Sequence, residues 1–272
     1  MNDFTVVMSV YHGDNASFFL QASRSVINQN LTPGEFIISV DGPVDESIED
    51  VLSKISLHPI VKVLRLPENR GPGDSRHAAI IMAKYDVVAL MDSDDICLPH
   101  RFERQFSYLK SNDLDVVGGY IEEFVKVPGD LKRIRSVPLA YKDIMKIGKW
   151  RQPINHVTIM FRRTTYINAG GYKSYRSIED YDLIYRLLLL GARIENIPDV
   201  LVSVRLGSSF KNRRSGFEYL RRELSLINRM RRDRFLSKFQ WILSSLARIF
   251  VRMSPEFLIN LIYRSLRKKV SG

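Results

Sequence analysis

Apolar residues in the first hundred positions fall in short runs, separated by stretches with helical spacing. Phe4-Thr5-Val6-Val7-Met8-Ser9-Val10, Glu35-Phe36-Ile37-Ile38-Ser39-Val40, Ile60-Val61-Lys62-Val63-Leu64-Arg65-Leu66 and Asp86-Val87-Val88-Ala89-Leu90-Met91 read as four strands. Runs this short and this apolar are the mark of strands covered on both faces. Between them, residues 16–30 carry Phe19, Leu20, Val26 and Ile27 at helical spacing, 45–56 read as a second helix, and Ala78, Ala79, Ile80 and Met82 mark a third. Strand and helix alternate at short intervals, which predicts βαβ units, a parallel sheet and the α/β class. After residue 100 the pattern loosens. Residues 115–120, 157–161 and 201–204 read as strands, 141–150 as a helix and 168–172 as a glycine turn. A helix opens at Glu179-Asp180-Tyr181-Asp182, continues through Leu183, Ile184, Leu187, Leu188 and Leu190, and closes at Gly191.

The fourth strand ends abruptly in Asp92-Ser93-Asp94-Asp95. In open α/β sheets the ligand sits beyond the carboxyl ends of the strands, where these acids begin. Three carboxylates so close repel one another, and a hard divalent cation with oxygen ligands would neutralise them. An Asp-x-Asp holding Mg²⁺ or Mn²⁺ against a diphosphate is one reading; a solvated acidic turn capping the next helix is the other. The other strand ends suit a nucleotide. Tyr11 offers a ring to stack on a base, Asp41 an acceptor for a uracil N3–H, and Arg70 with Gly71 and Gly73 a close approach to ribose or phosphate. Singly each is weak, since Asp41-Gly42 is also a good turn and Arg70 also suits a surface cation. Together they lie on one sheet edge. The acids at 179–182 fit a helix N-terminus, and equally a carboxylate facing a cleft as general base. No G-x-G-x-x-G or G-x-x-x-x-G-K-[ST] occurs, which disfavours a dinucleotide dehydrogenase and a P-loop NTPase.

Length and charge sharpen this. A chain of 272 residues buries a full core as one large domain, with or without an appendage. Its net charge of +11 is unevenly placed: residues 205–272 hold 17 Lys and Arg against 4 Asp and Glu, a balance of +13, leaving −2 for residues 1–204. The first three quarters are therefore no basic nucleic-acid surface overall. The single cysteine, Cys97, forbids an internal disulfide and suits a reducing compartment. No leader pattern precedes the first strand, which speaks against secretion.

The motifs taken as an ordered set resemble glycosyltransferase family 2, the inverting sugar transferases of the GT-A fold. The matching stretches are Val6-Val7-Met8-Ser9-Val10-Tyr11, Ser39-Val40-Asp41-Gly42, Asn69-Arg70-Gly71, Met91-Asp92-Ser93-Asp94-Asp95, Gly170-Gly171-Tyr172 and Glu179-Asp180-Tyr181-Asp182-Leu183. The resemblance implies a mostly parallel nucleotide-binding sheet with flanking helices over residues 1–206. It implies that Asp41 contacts a uracil, that Asp92 lies near the ribose, and that Asp94 (with Asp92 beside it) ligates the Mn²⁺ or Mg²⁺ bridging the donor diphosphate. It gives Asp180 the role of general base, with Glu179 next to it. Arg205 falls where similar enzymes place a loop closing over the diphosphate, and His156 and Asp182 fall toward the acceptor, where His156 equally suits a structural hydrogen bond. One position departs from the pattern: many members carry two acids before the glycine after strand two, and Val40 takes the first of them.

The remainder, 207–272, reads as a basic amphipathic helical appendage. From Phe217 onward the chain is helical and carries Arg221, Arg222, Arg229, Arg231, Arg232, Arg234 and Lys238, while Phe235, Phe239, Ile242, Leu246, Ile249 and Phe250 form an apolar stripe. Pro255 begins a second helix with Phe257, Leu258, Leu261 and Ile262 that ends in Arg267-Lys268-Lys269. Arg248 and Arg252 interrupt the stripe, so nothing reaches the roughly 20 apolar residues of a membrane span. A cationic, apolar-faced helix suits an anionic bilayer surface, here the cytoplasmic face of an inner membrane; a helix packed on its own domain is the alternative. The expectation is therefore a peripheral enzyme moving glucose or galactose from a UDP-sugar to a lipid-linked acceptor of the GlcNAc-diphosphoundecaprenol kind, in O-antigen or exopolysaccharide synthesis. The rivals are a nucleotidyltransferase making a sugar nucleotide, which would need a Gly-rich N-terminal loop where only Gly13 occurs, and a basic nucleic-acid-binding protein, for which no recognition motif is visible.

Overall fold

Four parallel strands, β1 (Phe4–Val10), β2 (Glu35–Val40), β3 (Val61–Arg65) and β4 (Val87–Asp92), lie side by side in the order β3-β2-β1-β4. The computed structural model describes residues 3–175, 177–207, 217–253 and 268–269. All six residues of β2 and nearly all of β1 and β4 are buried, which is why these runs are apolar without alternation. Successive side chains point to opposite faces and feed two cores. Phe4, Val6, Met8 and Val10 pack with α1 (Ala16–Ile27) and α2 (Glu46–Ile55). Val7, Val88 and Leu90 face the other way, onto α3 (Pro72–Met82) and α7 (Glu179–Leu189).

Beyond β4 the sheet changes character. It continues antiparallel through β8 (Met160–Arg162) to β6 (Val116–Phe124), which pairs parallel with the long β9 (Ile194–Arg205) and antiparallel with β7 (Arg133–Arg135). The two-residue β5 (Ile96–Cys97) pairs antiparallel with β9 just after the acidic turn. The sheet is thus parallel over β1 to β4 and mixed elsewhere. Helices α4 (Arg101–Ser111), α5 (Tyr141–Gly148) and α6 (Arg163–Asn168) cover the far half.

Two strands differ from expectation. Residues 157–161 are not one strand: His156–Thr158 forms a 3₁₀ turn and β8 starts at Met160. The Thr158 hydroxyl and N–H both bond back to the Asn155 carbonyl, at 2.7 and 2.9 Å, a local bond that outcompetes the ladder. The last strand runs over twelve residues rather than four, and Arg205 ends it instead of following it. Pro198 and Asp199 hide its middle, because the register against β6 shifts there and Pro has no N–H to pair.

The appendage is anchored. Leu226, Ile227 and Met230 of α8 (Phe217–Arg232), followed by Phe235 and Leu236, are buried in the same core as Leu183, Ile184 and Tyr185 of α7. α9 (Lys238–Met253) turns back along α8, tied by Trp241 to Asn228 at 2.7 Å and by Arg252 to Glu223 at 2.8 Å. Its outer side leaves Phe239 74% and Phe250 67% exposed. Among the described residues no helix is long and apolar enough to cross a membrane. The helix expected from Pro255, with Phe257, Leu258, Leu261 and Ile262, lies outside the described residues. Lys268–Lys269 does not end a helix; it forms a short strand, β10, on β7.

If α8 is integral to the core, Ile227→Ala lowers the unfolding free energy by about 2–5 kcal/mol, read by urea denaturation. Unchanged stability would detach α8 from the domain.

Candidate active site

Because β1 to β4 are parallel, Tyr11, Asp41, Arg70 and Asp92 all emerge from one edge of the sheet. The Tyr11 ring is exposed and lies over Gly13, where a Cβ would come within 2.5 Å of it. Asp41 is buried, and its carboxylate accepts the N–H groups of Arg70 at 2.8 Å and Gly71 at 2.9 Å. It therefore clamps the loop after β3 onto the loop after β2. A carboxylate offers about four lone-pair positions, so capacity for a further donor remains. Gly42, at φ +82°, permits that approach, since a Cβ there would lie 2.6 Å from the Asn69 nitrogen. The Arg70 side chain is exposed beside Glu68 at 3.4 Å.

The acidic turn is braced at every position. Asp92 pairs with Arg76 of α3 at 2.5 Å. The Ser93 hydroxyl donates to the Asp14 carboxylate at 2.8 Å, and Asp14 also takes the Tyr11 N–H at 3.1 Å. Asp95 is buried and accepts the Arg205 N–H at 2.8 Å. Burial, reinforced by the charges of Asp94 and Asp92, pushes the Asp95 carboxyl well above the usual range, and Arg205 offsets only part of this. The Arg205 guanidinium lies between the rings of Phe18 at 3.8 Å and Phe124 at 4.5 Å, and donates to the Asp94 carbonyl at 3.1 Å and to Gln21 at 3.1 Å. One side-chain donor thereby holds the turn and the other ties it to α1.

The second acidic cluster splits into three environments. Glu179 is buried, with Oε2 lacking a partner, and rests on Gly73 of α3, where a Cβ would sit 3.3 Å from its Cγ. Burial first, and then the charge of Asp180, raise its pKa. Asp180 is only partly buried and accepts the Tyr181 N–H at 2.7 Å. Asp182 is buried and held between Arg186 at 2.7 Å and Arg229 at 3.3 Å, because its position in the first turn of α7 points it into the helix packing.

Arg76 joins the two clusters. Its side chain is mostly buried, its Nε has no partner, and besides pairing with Asp92 it feels the charge of Glu179. His156 bonds the Tyr172 hydroxyl at 2.6 Å; burial and Arg76 depress its pKa, while Asp180 and Asp92 oppose them. The acids of β4 and of α7 thus act on the same two side chains. Neither Arg76 nor Asp14 stands out in the sequence. The available signal for Arg76 is its spacing, three and four residues before the buried Ala79 and Ile80, which puts a cation on the core stripe of α3.

The Glycosyl transferase family 2 profile matches residues 5–171. The chain belongs to glycosyltransferase family 2. Similarity to other members of the family extends past the profile to the α7 acids and the helices behind them. The amylovoran biosynthesis glycosyltransferase AmsE of Erwinia amylovora is 33% identical over 97% of this chain and 99% of its own. The UDP-Gal:alpha-D-GlcNAc-diphosphoundecaprenol beta-1,3-galactosyltransferase of Escherichia coli is 30% identical over 98% of this chain and 97% of its own. Among solved structures, S. aureus TarS 1–349 in complex with UDP-GlcNAc aligns with a TM-score of 0.68 over 90% of this chain and 71% of that one, at 16% identity. The mannosyltransferase PcManGT of Pyrobaculum calidifontis, in complex with GDP-Man and Mn²⁺, aligns at 0.63 over 97% and 79%, at 13% identity. The fold of this glycosyltransferase is therefore GT-A.

Ionising Glu179 is harder in the folded chain than in the unfolded one, so it subtracts stability as pH rises out of the carboxylate range. Glu179→Gln is expected to match the wild-type melting temperature near about pH 4 and to exceed it increasingly toward about pH 8. Equal melting temperatures throughout would place Glu179 in water.

Proposed function

We propose that the protein moves a hexose, glucose or galactose, from a UDP-sugar to a lipid-linked saccharide with inversion at the anomeric carbon. The observation that carries this is the convergence of the Asp92 end of β4 and the Glu179–Asp180 start of α7 on Arg76 and His156. Membership of the family favours sugar transfer over nucleotidyl transfer. The donor and acceptor in the name of the E. coli relative support a UDP-sugar and a GlcNAc-diphosphoundecaprenol-type acceptor, and AmsE supports a place in exopolysaccharide or O-antigen assembly. In this reading Tyr11 stacks on the uracil and Asp41 uses its remaining lone pairs for the N3–H.

Among the described residues no group of three or more His, Cys, Asp or Glu forms a metal cage. A Mn²⁺ or Mg²⁺ held by one or two carboxylates plus substrate phosphates needs none. Asp94, with Asp92 beside it, fits that donor set, and a cation there would relieve the repulsion that Asp94 and Asp92 add to the burial of Asp95. Such a cation, when bound, supplies Lewis-acid stabilisation of the departing diphosphate. The chain's own part is to fix the acids: Arg76 orients Asp92, Arg205 holds the Asp94 carbonyl and the Asp95 carboxyl, and Asp180 takes the proton of the attacking hydroxyl.

The exposed Phe239, Leu246 and Phe250 of α9, with Arg232, Arg234 and Lys238 exposed nearby, support peripheral docking on the anionic cytoplasmic face of the inner membrane, where a lipid-linked acceptor resides.

Two experiments test these readings. With a UDP-hexose and a lipid-linked acceptor, UDP release requires Mn²⁺ or Mg²⁺ and stops with chelator; Asp94→Ala and Asp180→Asn each lose at least about 100-fold in rate with unchanged melting temperature. Wild-type rates in either variant would remove that residue from the reaction. In co-sedimentation with phosphatidylglycerol vesicles, Phe239→Ser/Phe250→Ser is expected to stay in the supernatant while the wild type pellets; equal pelleting would refute docking through α9.

A further inference from the structure

The backbone register puts His156 at the end of β4. β8 runs antiparallel to β4 with Met160 opposite Ala89, and the Leu90 N–H donates to the Ile159 carbonyl at 3.0 Å. The 3₁₀ turn that begins at His156 therefore passes the carboxyl end of β4, where Asp92 stands. From the opposite flank His156 meets Tyr172, at 2.6 Å. Tyr172 itself has little freedom: its N–H donates to the Tyr166 hydroxyl at 2.9 Å, and that hydroxyl bonds His77 Nδ1 at 2.7 Å. Gly171, at φ +60°, brings the chain so close that a Cβ would lie 2.8 Å from the His77 ring. A partly buried tyrosine–histidine network thus fixes the orientation of one imidazole beside the end of β4, and the catalytic roles assigned above leave that imidazole unused.

We propose that His156 hydrogen-bonds a hydroxyl of the sugar being transferred, and that Tyr172 orients its ring for that contact. This rests on the sugar-transfer reading. The part of a nucleotide sugar that must lie between a diphosphate at Asp92 and a base at Asp180 is the hexose, and His156 feels the charges of both acids. One ring nitrogen is committed to Tyr172, which leaves the other for the substrate. Burial and Arg76 keep the imidazole uncharged, and burial keeps the proton on the Tyr172 hydroxyl. An uncharged donor beside the already cationic Arg76 adds recognition of a hydroxyl rather than more positive charge for the phosphates. His156 is then a sugar contact, and Tyr172, Tyr166 and His77 are positioning residues behind it.

Calorimetric titration of the full chain in Mn²⁺, with UDP and separately with UDP-galactose and UDP-glucose, separates sugar contacts from nucleotide contacts. His156→Ala is expected to weaken binding of at least one UDP-hexose about tenfold while leaving UDP unchanged. Tyr172→Phe should show the same pattern with a smaller loss, and His156→Gln, which retains an N–H, should recover part of it. Thermal melting checks each variant; should His156→Ala not fold, the Gln and Phe variants decide. The proposal is overturned if UDP weakens as much as UDP-hexose, or if UDP-hexose affinity is unchanged and only the acceptor KM rises. A wild-type chain that binds neither UDP nor UDP-hexose would instead overturn the transfer reading beneath it.

Discussion

A mostly buried guanidinium, that of Arg76, stands between the carboxylates of β4 and α7. Arg76 carries its charge into the interior of the fold, where an unpaired cation is expensive, and Asp92 at 2.5 Å with Glu179 behind it makes that tolerable. The dependence runs both ways. Without Arg76, Asp92 would lose its ion-pair partner and Glu179 would lose the cation that offsets its burial. α3 carries Arg76, β4 carries Asp92 and α7 carries Glu179, so one electrostatic centre sets how three elements meet. The second core, packed around Val88, Leu90, Ile80 and Leu183, joins β4, α3 and α7, the elements that carry these groups.

The same economy recurs at other positions that a motif reading assigns to substrate alone. Asp41 ties two loops together through backbone N–H groups, and only its remaining lone pairs are left for a ligand. Arg205, at the end of the strand that pairs with β6, is stacked between two phenylalanines and reaches the acidic turn with a backbone N–H and a side-chain N–H. A site that must bring acids together needs its loops pinned, because each carboxylate pushes its neighbours apart. Preorganisation of this kind is what lets fixed charges act on a leaving group without rearrangement.

The C-terminal helices belong to the domain on one side and face outward on the other. α8 fills the core beside α7, which places the appendage against the helix that begins with Glu179 and Asp180. The outward side of α9 combines exposed aromatic rings with basic surroundings.

The order of strands and helices in the first hundred residues was legible from pattern alone, because strands buried on both faces must be apolar throughout and the helices between them must be amphipathic. The acids at 92–95 and 179–180 were legible too, since charged clusters at the ends of such runs have nowhere else to be. The long β9 was not, because Pro198 interrupts its pattern and its pairing partner lies some eighty residues away. Nor was the difference between Glu179, Asp180 and Asp182, three acids in four positions that composition cannot tell apart. Only packing decided that one lies buried against Gly73, one partly open and one bound between two arginines. Arg76 shows the same division most clearly. The sequence states that a cation stands on a buried helical stripe; that it joins Asp92 and Glu179 is a fact of distance, and distance between remote segments exists only once the chain has folded.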